Sequence, residues 1–152
     1  MIIKPHKTRI FREGDSLPEF ILAHLPRLKN GSVLVISSKI VSLSEGRTAP
    51  LSEKGRLIRG NGKALKTPKV WLTITDGIVM ANAGIDESNG NGKLLLLPKH
   101  SYKSAARLRT VLKRAYKIKN IGIIISDSVV MPLRKGVGGG ALGYAGFKGV
   151  RN

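Results

Sequence analysis

The sequence contains no cysteine, which excludes disulfides and thiolate metal sites. Its three histidines, His6, His24 and His100, are scattered without ligand spacing, so a metal site here is expected to be hard and oxygen-ligated. Aromatic residues make up 5% of the chain, and the aromatic-and-basic motif of RNA-reading domains is missing with them. No apolar run approaches the roughly 20 residues of a spanning helix. The opening Met1-Ile2-Ile3-Lys4-Pro5 lacks the apolar core and small-residue cleavage site of a signal peptide. A cytoplasmic protein with no membrane partner is expected.

Acids are scarce as well: 9 Asp and Glu stand against 27 Lys and Arg, a formal net charge of +18. Such a field attracts polyanions, nucleotides and nucleic acid among them, and says nothing of fold. With 152 residues, 41% hydrophobic and 24% charged, the composition is that of one globular domain, residues 1–152, with a real core. The 18 glycines cluster at 60–62, 90–92 and 136–140, which predicts loops where backbone bends sharply or approaches a ligand.

In a chain this poor in acids, the place where they gather is informative. Asn82-Ala83-Gly84-Ile85-Asp86-Glu87-Ser88-Asn89 follows the apolar run Ile78 to Ala81 and breaks into Gly90-Asn91-Gly92, a strand end opening into a polar loop. Asp127 repeats the pattern after Ile123-Ile124-Ile125-Ser126. The two strand-end aspartates are expected to meet around a divalent cation.

Along the chain, residues 1–4 can form a short strand, followed by a basic loop from Pro5 to Phe11. Ser16 and Glu19 have capping-box spacing ahead of a short helix carrying Phe20, Ile21, Leu25 and Leu28, which Pro26 weakens. Val33 to Ile36 reads as a strand buried on both faces. Ser37-Ser38-Lys39 after it suits either a phosphate site at a helix start or a plain helix cap. Arg47 to Lys69 is basic, with a weak helix around 52–59, and is expected to be a mobile or nucleic-acid-facing excursion. Val70 to Thr75 and Ile78 to Met80 around Asp76-Gly77 predict a hairpin. Leu94 to Leu97 reads as a strand, Ser101 to Lys117 as the clearest helix, and Ile121 to Ile125 as a buried strand from which Ser126-Asp127-Ser128 turns outward. Pro132 to Gly140 combines cations with glycines, Arg134 being available for a forked contact to an anion. Gly136-Val137-Gly138 lacks the context of a dinucleotide fingerprint. The predicted fold is α/β, mixed α+β, with a central sheet and short helices.

The ordered set Lys7-Thr8-Arg9, Glu13-Gly14-Asp15, Ser38-Lys39-Ile40-Val41-Ser42, Glu45-Gly46-Arg47, Asn82 to Asn89, Leu97-Pro98, Ser104-Ala105, Arg109, Ile124 to Ser128 and Pro132 to Gly136 resembles the coenzyme F420-0:L-glutamate ligase family over nearly the whole chain. The resemblance implies a GTP-dependent ligase that joins the amino group of L-glutamate to a carboxylate of the deazaflavin coenzyme precursor. A folate-like anionic acceptor is the expected variation, since sequence fixes a metal site better than an acceptor pocket. Mg2+ or Mn2+ is the implied metal and GTP the co-substrate. By the same resemblance Asp86 and Asp127 are catalytic, and Asp86, Asp127 and Ser128 hold metal. Lys7, Thr8, Arg9, Ile10, Ser38, Lys39 and Asn89 contact the nucleotide, Arg134 contacts substrate, and the chain forms a homodimer.

The sequence departs from the family in three places. Leu43 stands where members carry lysine, the family's Gly-Arg element is replaced around Val130-Met131, and the family continues beyond the point where this chain ends. The chain is therefore expected to be the N-terminal portion of a longer ligase domain. The competing expectation is an inactive or truncated relative serving as a basic nucleic-acid-binding module, supported by the charge of +18.

Overall fold

The computed structural model of the protein describes residues 2–149 except 62, 76–77, 89, 130–132 and 134. Its elements run α1 (Leu17–His24), β1 (Ser32–Ser37), α2 (Ser38–Ser44), β2 (Thr48–Pro50), α3 (Lys54–Gly60), β3 (Lys63–Lys66), β4 (Trp71–Thr75), β5 (Ile78–Ala81), β6 (Lys93–Leu95), α4 (Ser101–Tyr116), β7 (Ile121–Val129) and β8 (Gly138–Ala145). This is the mixed α/β architecture with short helices that the sequence predicts. The strands form three small sheets, ordered β1-β7-β8, β2-β6 and β3-β4-β5.

The first sheet carries the main core. β1 and β7 are parallel, from Ser32 opposite Ile121 to Ser37 opposite Ser126, and β8 lies antiparallel on the other side of β7. Ile121, Ile123 and Ile125 alternate toward one face, where they pack with Ile36, Val41, Phe20 and the Ala105-Leu108-Leu112 stripe of α4. That stripe follows the helical spacing i, i+3, i+7, so α4 buries one face and leaves its lysines and arginines largely in solvent. α1 ends at His24 because Pro26 pushes Leu25 out of helical geometry. Ser16 is the residue preceding the helix, but its side chain makes no capping bond. A second core gathers Ile58, Ala83, Ile85 and Leu94 beneath α3 and the small sheets.

Four local expectations are corrected. Residues 2–4 form no strand, and Ile2 and Ile3 are exposed. β1 is buried on one face only: it is a sheet edge covered by helices on one side, leaving Val33 52% and Val35 61% exposed. Ser126, Asp127 and Ser128 do not turn outward but continue β7, opposite Ala141, Gly140 and Gly139. The glycine run Gly138 to Gly140, read as an anion-cradling loop, is the start of β8. The missing side chains let the strands close up, since a Cβ on Gly140 would lie 2.7 Å from Val129 Cγ2.

The basic stretch from Arg47 to Lys69 is folded into β2, a 3-10 turn, α3 and β3, with Ile58 of α3 fully buried. The predicted hairpin is found as β4 and β5, paired from Leu72 opposite Ala81 to Thr75 opposite Ile78. Its Asp76-Gly77 turn lies outside the described residues.

Candidate functional site

The carboxyl ends of the parallel strands β1 and β7 lie side by side, the position at which open α/β sheets take their ligands. One residue past the last pair, Ser38 opens α2 and its Oγ donates a hydrogen bond to Asp127 Oδ1 at 2.8 Å. Ser38 is 2% exposed, so this bond is shielded from competing water and fixes the carboxylate. A step in register between Ile125 and Ser126 leaves Leu142 as the extra residue on β8, next to this point.

Asp86 arrives from the other side. Its backbone exchanges two hydrogen bonds with Leu95, N to O at 2.9 Å and O to N at 2.7 Å, which stitches the loop to β6. Asp86 Oδ1 accepts from Ser88 N at 2.8 Å and Ser88 Oγ at 2.7 Å, an Asx turn. Oδ2 is paired with the Lys39 ammonium reaching over from α2. Partial burial pushes the Asp86 pKa up, but the bonds from Lys39 and Ser88 outweigh it and hold the group at about 2. It is a carboxylate throughout the neutral range.

The segment leading to Asp86 is strained. Asn82, Ala83 and Gly84 all have positive φ, at 52°, 56° and 71°. Two bonds hold the turn in place: Asn82 Oδ1 accepts Trp71 N–H at 3.0 Å, and buried Thr73 Oγ1 accepts Ala83 N–H at 2.9 Å. Left-handed backbone at a non-glycine residue costs on the order of 1 kcal/mol and persists where surrounding structure enforces it. Here it turns the chain sharply between β5 and Asp86.

These pieces enclose a pocket of about 200 Å³ lined by Ser38, Lys39, Ser42, Asp86, Asp127 and Ser128 over an apolar floor including Ile85 and Leu95. Five of the candidate residues therefore meet: Ser38, Lys39, Asp86, Asp127 and Ser128. Lys7, Thr8, Arg9 and Ile10 lie on an exposed loop and do not line this pocket. The Arg9 guanidinium binds Asp15 at 2.6 Å and sits 5.0 Å over the Phe20 ring, so the loop is tied to α1. Asn89 and Arg134 lie outside the described residues. Glu87 pairs with Lys54 of α3, a structural tie.

Among the described residues no three or more His, Asp or Glu side chains gather. The donors present are two carboxylates and serine hydroxyls, hard oxygen ligands of the number that suits Mg2+ or Mn2+ completing its shell with water and phosphate. The ammonium on Asp86 marks a point where a cation is already held. Sequence reasoning missed Ser42, whose burial at 1% exposure is set by tertiary packing. It also missed a larger neighbouring pocket bordered by Arg47, Lys99 and Tyr102, whose parts come from five separated segments.

The pocket thus brings two carboxylates, serine hydroxyls and one ammonium together at the ends of β1 and β7. The family model for F420-0:Gamma-glutamyl ligase matches residues 55–152. Proteins named coenzyme F420:L-glutamate ligase align with 91% of this chain: one from Halobacterium salinarum at 33% identity, one from Methanocaldococcus jannaschii at 32% and one from Methanopyrus kandleri at 34%. The chain belongs to the F420-0:gamma-glutamyl ligase family. It spans 64%, 64% and 63% of the length of those three relatives.

Proposed function

We propose that this chain carries the metal- and nucleotide-binding part of a ligase that forms an amide between L-glutamate and the carboxylate of a coenzyme F420 precursor, using GTP. The observation that carries this reading is the meeting of Asp86, Asp127, Ser128, Ser38 and Lys39 in one pocket. A carboxylate does not condense with an amine at neutral pH unaided. In the proposed course an acceptor carboxylate oxygen attacks the γ-phosphorus, the bond from that phosphorus to the β-bridging oxygen breaks, and GDP leaves. The glutamate nitrogen then attacks the acyl carbon, phosphate departs with the carbon–oxygen electron pair, and the nitrogen loses its proton.

Such chemistry needs positioning and charge neutralisation above all. Asp86, Asp127 and the Ser128 hydroxyl would hold Mg2+ or Mn2+, which when bound supplies Lewis-acid neutralisation of phosphate oxygens. Ser38 fixes the Asp127 carboxylate, and Lys39, exchanging Asp86 for a phosphate oxygen, adds a positive charge at the nucleotide. The loop from Lys7 to Ile10 and Asn89 are proposed nucleotide contacts, and Arg134 a substrate contact. We take the working form to be a cytoplasmic homodimer; the exposed apolar residues Leu65, Leu72, Ile74 and Val79 of the β3-β4-β5 sheet offer a surface for it.

Incubation of the purified protein with GTP, Mn2+, L-glutamate and coenzyme F420 precursor, followed by mass spectrometry for the glutamylated product and for GDP, tests the reading; absence of both rejects it. A second reading, a basic nucleic-acid-binding module, is favoured by the charge of +18. RNA binding that falls steeply with salt and ignores Asp86→Asn would support it instead.

A further inference from the structure

Behind the acidic pocket lies a second cavity of about 650 Å³, well within the usual range for a drug-sized ligand, whereas the acidic pocket at about 200 Å³ is below that range. The two share one wall, made of Ile85, Leu96 and Leu97. The strained turn runs along this partition, with Ala83 lining the larger cavity and Gly84 and Asp86 the smaller. The turn is packed hard against the wall: a Cβ on Gly84 would lie 2.7 Å from Leu97 Cδ1.

The two cavities have opposite chemistry. The acidic one contains both aspartates; the larger is bordered by Arg47, Lys99, Lys103 and His100, and no Asp or Glu is among its described lining residues. None of the Arg47, Lys99 and Lys103 side chains is ion-paired with a carboxylate among the described residues. Arg47 is aimed by a bond from Nε to Leu97 O at 3.1 Å, which leaves the rest of its guanidinium fork for a ligand. Tyr102, 57% exposed, adds an aromatic ring at the same mouth. Glu45 braces this corner, its carboxylate taking the Lys99 N–H at 3.0 Å and the Ser104 hydroxyl at 2.5 Å. Gly143 lets β8 pack against the start of α4, because a Cβ there would lie 2.5 Å from the Ser101 carbonyl carbon.

The geometry points to the larger cavity as the acceptor subsite, taking a ring-bearing polyanionic acid whose carboxylate is presented across the Ile85-Leu96-Leu97 wall to the metal and nucleotide pocket. This assignment rests on the ligase reading above. It separates the two anionic ligands by chemistry: phosphates with metal on the aspartate side, the acceptor's rings and negative charges on the cationic, partly apolar side.

The test is equilibrium dialysis of coenzyme F420 against the full chain, alongside Mn2+-dependent GTP binding by calorimetry. Lys99→Glu with Lys103→Glu should weaken F420 binding tenfold or more and leave GTP binding within twofold. Lys103→Glu puts an acid in the first turn of α4, where it favours the helix, and Lys99→Glu lies just ahead of that turn; a thermal melt and unchanged GTP binding check that the variant is folded. Lys113→Glu with Lys117→Glu, an equal charge change at the far end of α4, should leave both affinities unchanged. Unaltered F420 binding in the first variant, or equal weakening in the second, overturns the subsite. Wild-type protein that binds neither F420 nor GTP overturns the ligase reading and the subsite with it.

Discussion

The Lys39 ammonium rests on the Asp86 carboxylate, joining the first turn of α2 to the loop that leaves β5. A cation thus already occupies one oxygen of the proposed metal ligand. Metal binding at Asp86 has to displace that ammonium, so the metal and the lysine compete for it.

Lys39→Met should therefore tighten Mn2+ binding measured in the absence of nucleotide, by about three- to tenfold, the range of roughly 1 kcal/mol for a partly exposed ion pair. The same variant should weaken GTP binding, since the lysine is the proposed phosphate contact. Calorimetry with Mn2+ alone and with Mn2+ and GTP separates the two effects.

Asp86 also sets a pH dependence. Its folded-state pKa of about 2 lies below the ordinary 3.8, so the unfolded chain takes up the proton first as pH falls. Its contribution to stability is complete above pH 4 and is lost between about 4 and 2. Thermal melts of wild type and Asp86→Asn should differ by a constant amount, equivalent to about 1–2 kcal/mol, from pH 5 to 8 and converge near pH 2.

Ser38→Ala removes a buried donor and leaves Asp127 Oδ1 one hydrogen bond short. A loss of about 1–2 kcal/mol in urea denaturation is expected. Mn2+ affinity should fall as well, because the carboxylate is no longer held toward the pocket. Ser44→Ala, which removes a hydroxyl that donates to Val41 O at 2.7 Å on the same helix, should leave Mn2+ affinity unchanged.

Gly84→Ala should destabilise the protein by about 1–3 kcal/mol. The position has φ of 71° and no room for a Cβ beside Leu97. Chemical denaturation measures the loss. Because Gly84 forms part of the partition between the cavities, GTP and F420 affinities should fall together in this variant, unlike in the lysine reversals.

Much of this was legible in the chain. The hairpin of β4 and β5, α4 and the core of β7 follow from periodicity, which records which faces are buried. Asp86 and Asp127 stood out because acids are rare here and both follow apolar runs. The outcome at Gly138 to Gly140 was hidden, since glycine permits a tight loop and a close strand pair equally and only the partner strand decides. Val33 and Val35 misled for a related reason: an apolar run tells of burial in general and not of a sheet edge left bare on one side. The larger cavity was invisible because Arg47, Met80, Tyr102 and Leu142 come from separated segments, and no local spacing reports their meeting.

In the proposed site Asp86 and Asp127 hold one divalent cation together with the nucleotide. Calorimetric titration of GTP with and without Mn2+ into wild type, Asp86→Asn and Asp127→Asn tests it most directly. Saturable, Mn2+-dependent GTP binding is expected in wild type and should weaken at least tenfold in each variant. GTP binding that is indifferent to Mn2+, or unchanged in both variants, would contradict it.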